Sequence, residues 1–426
     1  MGPGFRRRSF LAGVAGVSGG LGFPRIMRAG AQGRVVVVGG GAGGLTAART
    51  IAEGGAGRLR VTLVEANPHY VSCFRSNLYI GGLRGLTSIT HDYTALARMP
   101  DLNMIVDRAI EVDPISRQVE LAGGERLRYD ALVLSPGIDF VAGSIAGYDV
   151  AAMHAMPHAW RAHGGGQAAL LKAQLSAMDD GGVFVIAPPP APYRCPPAPY
   201  ERACLVANYF RTAKPRAKIL ILDAKNSHAK QSLFQEAWGD YYPGMVEWVP
   251  AEFGGRVTAV NAPAMTLTTE DDIHHADVAN VIPPQTAGAI AHRAGLTDAT
   301  GWCPVRPSTM ESRAMDDIYV IGDAANAGDM PKSAVAAASQ AGVAAAAILH
   351  RLAGASARSA HFFNTCWSTL APDDAVQAGA HYDVQDGAIH RTDAWLSETG
   401  EDAAHRRAMQ DDADAWHQRF VAGLFG

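Results

Sequence analysis

Several features are missing from this sequence, and each absence excludes something. There is no basic excess: 37 Lys and Arg stand against 41 Asp and Glu, for a formal net charge of −4. A nucleic-acid partner would demand a basic surface, so that class is excluded. Beyond the N-terminal segment, no stretch approaches the roughly 18 consecutive apolar residues of a spanning helix, and no membrane span is expected. No C-x-x-C-H is present, so any haem must sit on another polypeptide. The 15 histidines show no metal-ligand spacing, and no metal is assigned. Cysteine is scarce. The five residues Cys73, Cys195, Cys204, Cys303 and Cys366 permit two disulfides at most, in a pairing the sequence alone cannot give.

What remains is ordinary globular composition. The chain has 426 residues, 48% hydrophobic and 18% charged, enough for two or three domains with real cores. Its 46 glycines suggest tight turns and close helix–sheet packing. The N-terminus carries Arg7-Arg8-Ser9-Phe10-Leu11, a weakly apolar glycine-rich stretch, and Ala29-Gly30-Ala31 as a small-x-small cleavage site. This order resembles a twin-arginine signal peptide over 1–31; a plain basic tail is the competing reading. The signal predicts a periplasmic address, a cofactor loaded before export, and a compartment in which a disulfide persists.

Residues 34–38, R-V-V-V-V, read as a buried parallel strand, followed by G-G-G-A-G-G and a helix-spaced L-T-A-A-R-T-I-A. R-V-T-L-V-E completes β-α-β and ends at Glu65. Gly39-x-Gly41-x-x-Gly44 therefore follows a strand and opens a helix. The first glycine makes the turn, the second lets backbone approach a pyrophosphate, and the third permits close packing. Glu65 stands where a carboxylate accepts from a ribose hydroxyl. A second strand–helix–strand unit follows, with V-F-V-I (183–186), a helix-like stretch over 201–210, and K-I-L-I-L-D (218–223). Strands are also expected over 129–137 and 317–323, with an alanine-rich helix from near Lys332; the tail from about 355 gives mixed signals.

Ile318 to Asp323, an apolar strand stopping at Gly-Asp, resembles the second FAD fingerprint of the two-dinucleotide-binding flavoproteins, in which the aspartate accepts from the ribityl chain. Ser135-Pro136-Gly137 stands where that superfamily usually has Ala-Thr-Gly. The three pieces in order predict FAD. A nicotinamide site would need a second glycine fingerprint after residue 186, but that place holds A-P-P-P-A-P. Prolines remove the donors a phosphate needs, so nicotinamide is not expected. The expected fold class is α/β: two Rossmann-like dinucleotide-binding domains, the FAD domain discontinuous, plus an α+β C-terminal interface domain. The expected boundaries are 32–150 and 276–350 for the FAD domain, 151–275 for the second domain lacking an NAD fingerprint, and 351–426 for the interface domain.

Five stretches are more specific: A-P-P-P-A-P-Y-R-C-P-P-A-P-Y-E-R-A, Y-V-S-C-F-R-S-N-L-Y-I-G-G, W-C-P-V, I-G-D-A-x-x-A-G-D-M-P-K-S-A and F-N-T-C-W-S. Together they resemble the flavoprotein subunit of flavocytochrome c sulfide dehydrogenase, over essentially the whole chain. The resemblance implies that Cys73 carries FAD through a thioether to its 8α-methyl carbon. It implies that Cys195 and Cys366 are the redox-active pair, that Glu201 handles the substrate proton, and that Lys332 lies near the flavin pyrimidine edge. It implies oxidation of sulfide to polysulfide or sulfur, with electrons passing to a c-type cytochrome partner.

Blander readings stand beside these. Cys195 and Cys366 could form a structural disulfide, or Cys195 could pair with Cys303. Cys73 could be a buried free thiol, and Cys204 reads as core. Glu201 could simply favour the first turn of its helix. Arg75, beside Cys73, could raise a flavin potential or point to solvent. Three rival functions remain: a sulfide:quinone oxidoreductase, disfavoured by the strongly charged C-terminal tail; a thiol-exchange or electron-transfer partner without sulfide turnover; and a general NADH dehydrogenase, disfavoured by the proline loop.

Overall fold

The computed structural model describes residues 33–160 and 165–426; the expected signal peptide lies outside them. The first strand, β1 (Gly33–Val38), is followed by α1 (Ala42–Gly55), β2 (Leu59–Glu65), β3 (Leu102–Val106) and β4 (Ala131–Leu134). The middle unit contains β5 (Val183–Ala187), α2 (Ala198–Ala213), β6 (Lys218–Leu222), α3 (Gln231–Tyr241), β7 (Val246–Val249) and β8 (Val278–Val281). The chain then returns to the first unit through β9 (Cys303–Arg306), β10 (Glu311–Ser312), β11 (Ile318–Val320), β12 (Ala325–Asn326) and α4 (Ala334–Ala353). It ends in β13 (His361–Ala371), β14 (Asp374–Gln385), β15 (Ala388–Leu396) and α5 (Ala403–Phe425).

The fold is α/β, with two Rossmann-like units and a β-rich C-terminal part. In the large sheet the order is β12-β9-β10-β11-β4-β1-β2-β3, so strands from both ends of the first unit meet in its middle. Val35 pairs with Val61 on one side and Ala131 on the other, both parallel. Val35, Val36 and Val37 are 1%, 2% and 0% exposed, so both sheet faces are covered and a continuous valine run is required. Each such side chain contributes about 1.5–3 kcal/mol by burial. The middle sheet, β7-β6-β5-β8, is parallel throughout.

The helix expected near Lys332 begins at Ala334. Ser333 caps it by accepting from Ala336 N, and Gly354 ends it at φ +67°. By length and composition this one helix among the described residues could cross a membrane, although no unbroken apolar run marks it in the sequence. It instead lays Ala336, Ala341, Ala344 and Ala345 into the FAD-domain core, beside α1. Alanine makes that close approach possible: a Cβ on Gly43 of α1 would stand 3.3 Å from Ala337 Cβ. The ambiguous tail resolves into the antiparallel β13-β14-β15 meander and a 23-residue helix.

Candidate functional site

The site begins at the glycine turn. Gly39 has φ +102°, and a Cβ there would stand 2.3 Å from Ser135 O. A Cβ on Gly44 would stand 1.9 Å from Gly39 O, so neither position accommodates a side chain. Gly41 differs: a Cβ there would meet nothing within 4 Å. It is the N-cap of α1, supplies no side-chain cap, and is followed by no acidic residue in the first turn. The positive pole of the helix is thus left to a ligand, as a pyrophosphate requires. Glu65 Oε2 accepts from Gly40 N at 2.7 Å, and its Oε1 accepts from Asn67 N and Nδ2, both at 2.9 Å.

A cavity of about 490 Å³ runs from Gly39, Gly41 and Glu65 past Cys73, Gly137 and Asp323 to Cys195, Glu201 and Cys366. Gly44 lies beneath the turn rather than on the wall. Lys332 is not on the wall either. Its Nζ donates to the carbonyls of Asp323 (2.7 Å) and Ala325 (3.0 Å) and sits 3.6 Å from the centre of the Trp302 ring. Burial lowers Lys332 to about 8, against the pull of Asp323. Its backbone carbonyl instead accepts from Cys195 N at 2.8 Å, pinning the proline loop. The cavity meets the head of α4 at Ser333, Ala334 and Val335.

Cys195 holds φ +52°, a left-handed conformation that a non-glycine residue adopts only where its surroundings enforce it. The Pro-rich loop brings its thiol to the same cavity wall as Cys366 of β13, where the two thiols act directly on one another. That interaction holds the proton on Cys195 and favours thiolate on Cys366. All five cysteines are free thiols in this structure. Cys303 is fully buried in the large sheet, off the cavity wall, and burial pushes its thiol up to about 12. The geometry therefore places Cys366, not Cys303, beside Cys195. Cys204 is fully buried in the middle-domain core, as expected. Burial also pushes the Cys73 thiol up, while the Arg194 guanidinium acts against that rise.

Glu201 sits in the first turn of α2, but it does more than favour the helix pole. Oε2 accepts from Asn77 Nδ2 at 2.7 Å and Oε1 from Thr369 N at 2.9 Å. Burial raises its pKa, and these two bonds pull it back.

Four residues carry the site without having been singled out. Asn77 Nδ2 also donates to Ala198 O at 2.9 Å, so the asparagine of Y-V-S-C-F-R-S-N ties the Cys73 segment to α2. Arg202 is 1% exposed and donates to Asn77 Oδ1, Asn280 Oδ1 and Ala159 O. Arg194 Nε donates to Asp323 Oδ2 at 2.6 Å. Lys230 reaches the backbone of Cys366 from the start of α3. A charged residue directly before Cys195 was the one available signal; the others are long-range contacts. Arg75 does not face solvent: it lies on the cavity wall, and its Nη2 donates to Asp414 Oδ1 (2.6 Å) and Ala413 O (2.9 Å) of α5.

Where the second nucleotide site would lie, the space is taken by protein. Asp223, following β6, is fully buried. It accepts from Tyr200 Oη (2.5 Å) and Trp248 Nε1 (3.0 Å) and pairs with Lys225 at 2.5 Å. Lys225 Nζ also donates to Pro189 O at 2.9 Å.

An uncapped glycine turn, a carboxylate at the end of the second strand and two thiols on one cavity define the class: an FAD-binding disulfide oxidoreductase with two Rossmann-like units. Family profiles agree. Residues 33–160 match the pyridine nucleotide-disulphide oxidoreductases. Residues 168–283 match the central part of the sulfide dehydrogenase [flavocytochrome c] flavoprotein chain, and 358–425 the flavin-binding part of flavocytochrome c sulphide dehydrogenase. The chain belongs to this flavocytochrome c sulfide dehydrogenase flavoprotein family, a family of sulfide-oxidising flavoproteins. It is 24% identical to the mitochondrial sulfide:quinone oxidoreductase of Mus musculus, over 72% of this chain and 69% of that one. The sulfide:quinone oxidoreductase structure from Aquifex aeolicus shares the fold at TM-score 0.74 and 17% identity, covering 92% of this chain and 91% of that one. An NAD-dependent persulfide reductase from A. fulgidus does so at 0.62 and 16%, covering 90% and 77%.

Proposed function

We propose that this chain oxidises hydrosulfide to polysulfide or sulfur through Cys195 and Cys366, and passes the electrons to a c-type cytochrome on a separate polypeptide. One observation carries the reading: the two thiols, brought together from distant parts of the chain, share one wall of the flavin cavity with the Glu201 carboxyl. Hydrosulfide attacks one sulfur of the oxidised pair. The Cys–Cys bond opens and a bond to the substrate sulfur forms, leaving a persulfide on one cysteine and a thiolate on the other. Lys230, whose ammonium lies on the Cys366 backbone, makes Cys366 the better leaving thiolate. Glu201, raised by burial, is poised to hold the substrate proton.

Gly39, Gly41 and the start of α1 would hold the FAD pyrophosphate, Glu65 a ribose, and Asp323 the ribityl chain. Cys73 would fix FAD covalently through its 8α-methyl carbon. Bound FAD supplies the change from paired to single electrons that a haem acceptor needs. The pole of α4, at Ser333 and Ala334, favours negative charge there. Export by the twin-arginine route to the periplasm completes the proposal.

The test is sulfide-dependent reduction of cytochrome c by the flavin-loaded chain. Cys195→Ser and Cys366→Ser should each lower the rate on the order of 10³-fold. Wild-type turnover in either variant would overturn the mechanism, and no turnover in the parent would favour a thiol-exchange partner. After acid precipitation, flavin should stay with the pellet on the Cys73 peptide; flavin in the supernatant overturns the thioether. The likeness to sulfide:quinone oxidoreductases favours a second reading, which faster reduction of a soluble quinone analogue than of cytochrome c would select.

A further inference from the structure

Lys230 is a buried ammonium, 7% exposed, at the N-cap of α3. Its backbone is left-handed at φ +59°, a conformation in which lysine is uncommon. Its side chain does not cap the helix. Nζ donates to Cys366 O at 2.7 Å, Ser368 Oγ at 3.0 Å and Val376 O at 3.2 Å. Ser368 and Val376 face each other across β13 and β14, so Lys230 grips the strand that carries Cys366 and its neighbour at one point. All three acceptors are neutral. Burying a cation against neutral oxygens is costly unless negative charge arises nearby. The groups that supply it are Cys366, Glu201 and Cys195, which act on Lys230 through space.

We propose that Lys230 is a positioning residue that serves as the resident counter-cation of the thiol pair, favouring the thiolate on Cys366 and so fixing which sulfur leaves when the disulfide is attacked. The inference rests on the reading of Cys195 and Cys366 as the redox pair. The other charged and titratable groups facing the pair do not do this work. Glu201 opposes a thiolate on either sulfur. Cys73 faces Cys195 and opposes its ionisation as well. Arg202 acts through space on Cys195 and Glu201 rather than Cys366, and its hydrogen bonds end on Asn77, Asn280 and Ala159; Arg75 is held by Asp414. Lys230 is the cation whose hydrogen bond ends on Cys366 itself. In the attack step the hydrosulfide sulfur bonds to Cys195 as the Cys195–Cys366 bond breaks. The electron pair of that bond goes to Cys366, which leaves as thiolate beside Lys230.

The experiment is site-resolved alkylation by iodoacetamide of the flavin-loaded protein. A Cys195→Ser background leaves one thiol of the pair, and the Cys366 peptide is followed by mass against pH. Lys230→Met should slow Cys366 alkylation at neutral pH about tenfold and move its profile alkaline, while Lys230→Arg should keep the parent profile. Superimposable profiles for Lys230→Met and its parent, both retaining flavin, would overturn the proposal. If Lys230→Met fails to retain flavin, Lys230→Gln carries the same comparison, since its amide can still donate to Cys366 O. If neither neutral variant retains flavin, Lys230 is a structural clamp and the proposal fails. Sulfide turnover is not read, so the proposal can stand or fall independently of the sulfide reaction.

Discussion

The two Rossmann-like units share a topology and differ at the ends of their strands. In the first, glycines at 39 and 44 clear the backbone, α1 begins without a side-chain cap, and Glu65 faces a cavity. In the second, the strand Val183–Ala187 runs into prolines, and the carboxylate after the next strand, Asp223, is saturated by Tyr200, Trp248 and Lys225. His228 stacks on Tyr200 at 3.6 Å and closes the cluster. One unit keeps donors and charge for a ligand; the other spends the equivalent groups on itself. The fold is indifferent to the choice, and a few side chains at the strand ends decide it.

The largest test of this contrast is Asp223→Ala. It leaves Lys225 buried without its partner and two donors unsatisfied, and should cost about 3–5 kcal/mol in urea unfolding. A loss under about 1 kcal/mol would mean the cluster fills space without holding the unit together.

Next comes a pH dependence. Burial lowers His228 to about 4, so native His228 stays neutral where the unfolded chain binds a proton. Stability is therefore unaffected above about pH 6.5 and is lost as pH falls from there through about 4. The loss is on the order of 3 kcal/mol. His228→Phe should keep the stack on Tyr200 and flatten that part of the acid limb; His417, also lowered to about 4 by burial, and His91, lowered in the same direction, still contribute to it.

Gly44→Ala and Gly41→Ala sharpen the comparison from the other side. The Gly44 methyl has no room and should cost about 1–3 kcal/mol together with flavin content. The Gly41 methyl meets no protein, so the melting temperature of flavin-free protein should hold while flavin content falls. Equal melting temperatures for the two flavin-free variants would contradict the geometry. The smallest expected effect is that of Glu65→Gln. It replaces a charged acceptor of Gly40 N and Asn67 and should cost about 1 kcal/mol in thermal unfolding.

Much of the first unit was legible because its signals are local. A valine run covered on both faces, a glycine turn fixed by close contact, and a carboxylate at a strand end all lie within about thirty residues, the length of one βαβ unit. The missing second fingerprint was legible for the same reason, since proline states its constraint where it stands. The long meander of the tail was not, because its strands lie partly exposed and mix polar and aromatic residues without clean alternation. Lys332 shows the limit of carrying a role onto a position: its sequence place is at the head of α4, but its ammonium turns to Trp302 and two carbonyls.

The sequence by itself determined the class of fold, the flavin turn and the absence of a second one, because backbone sterics and strand burial act over neighbouring residues. Only the tertiary structure decided that Cys195 meets Cys366 rather than Cys303, that Asn77 joins the Cys73 segment to Glu201, and that Lys230 reaches the Cys366 strand. Those contacts span more than a hundred residues of chain. They exist because segments far apart in the chain pack around one cavity, and no local pattern records which side chains will face one another there.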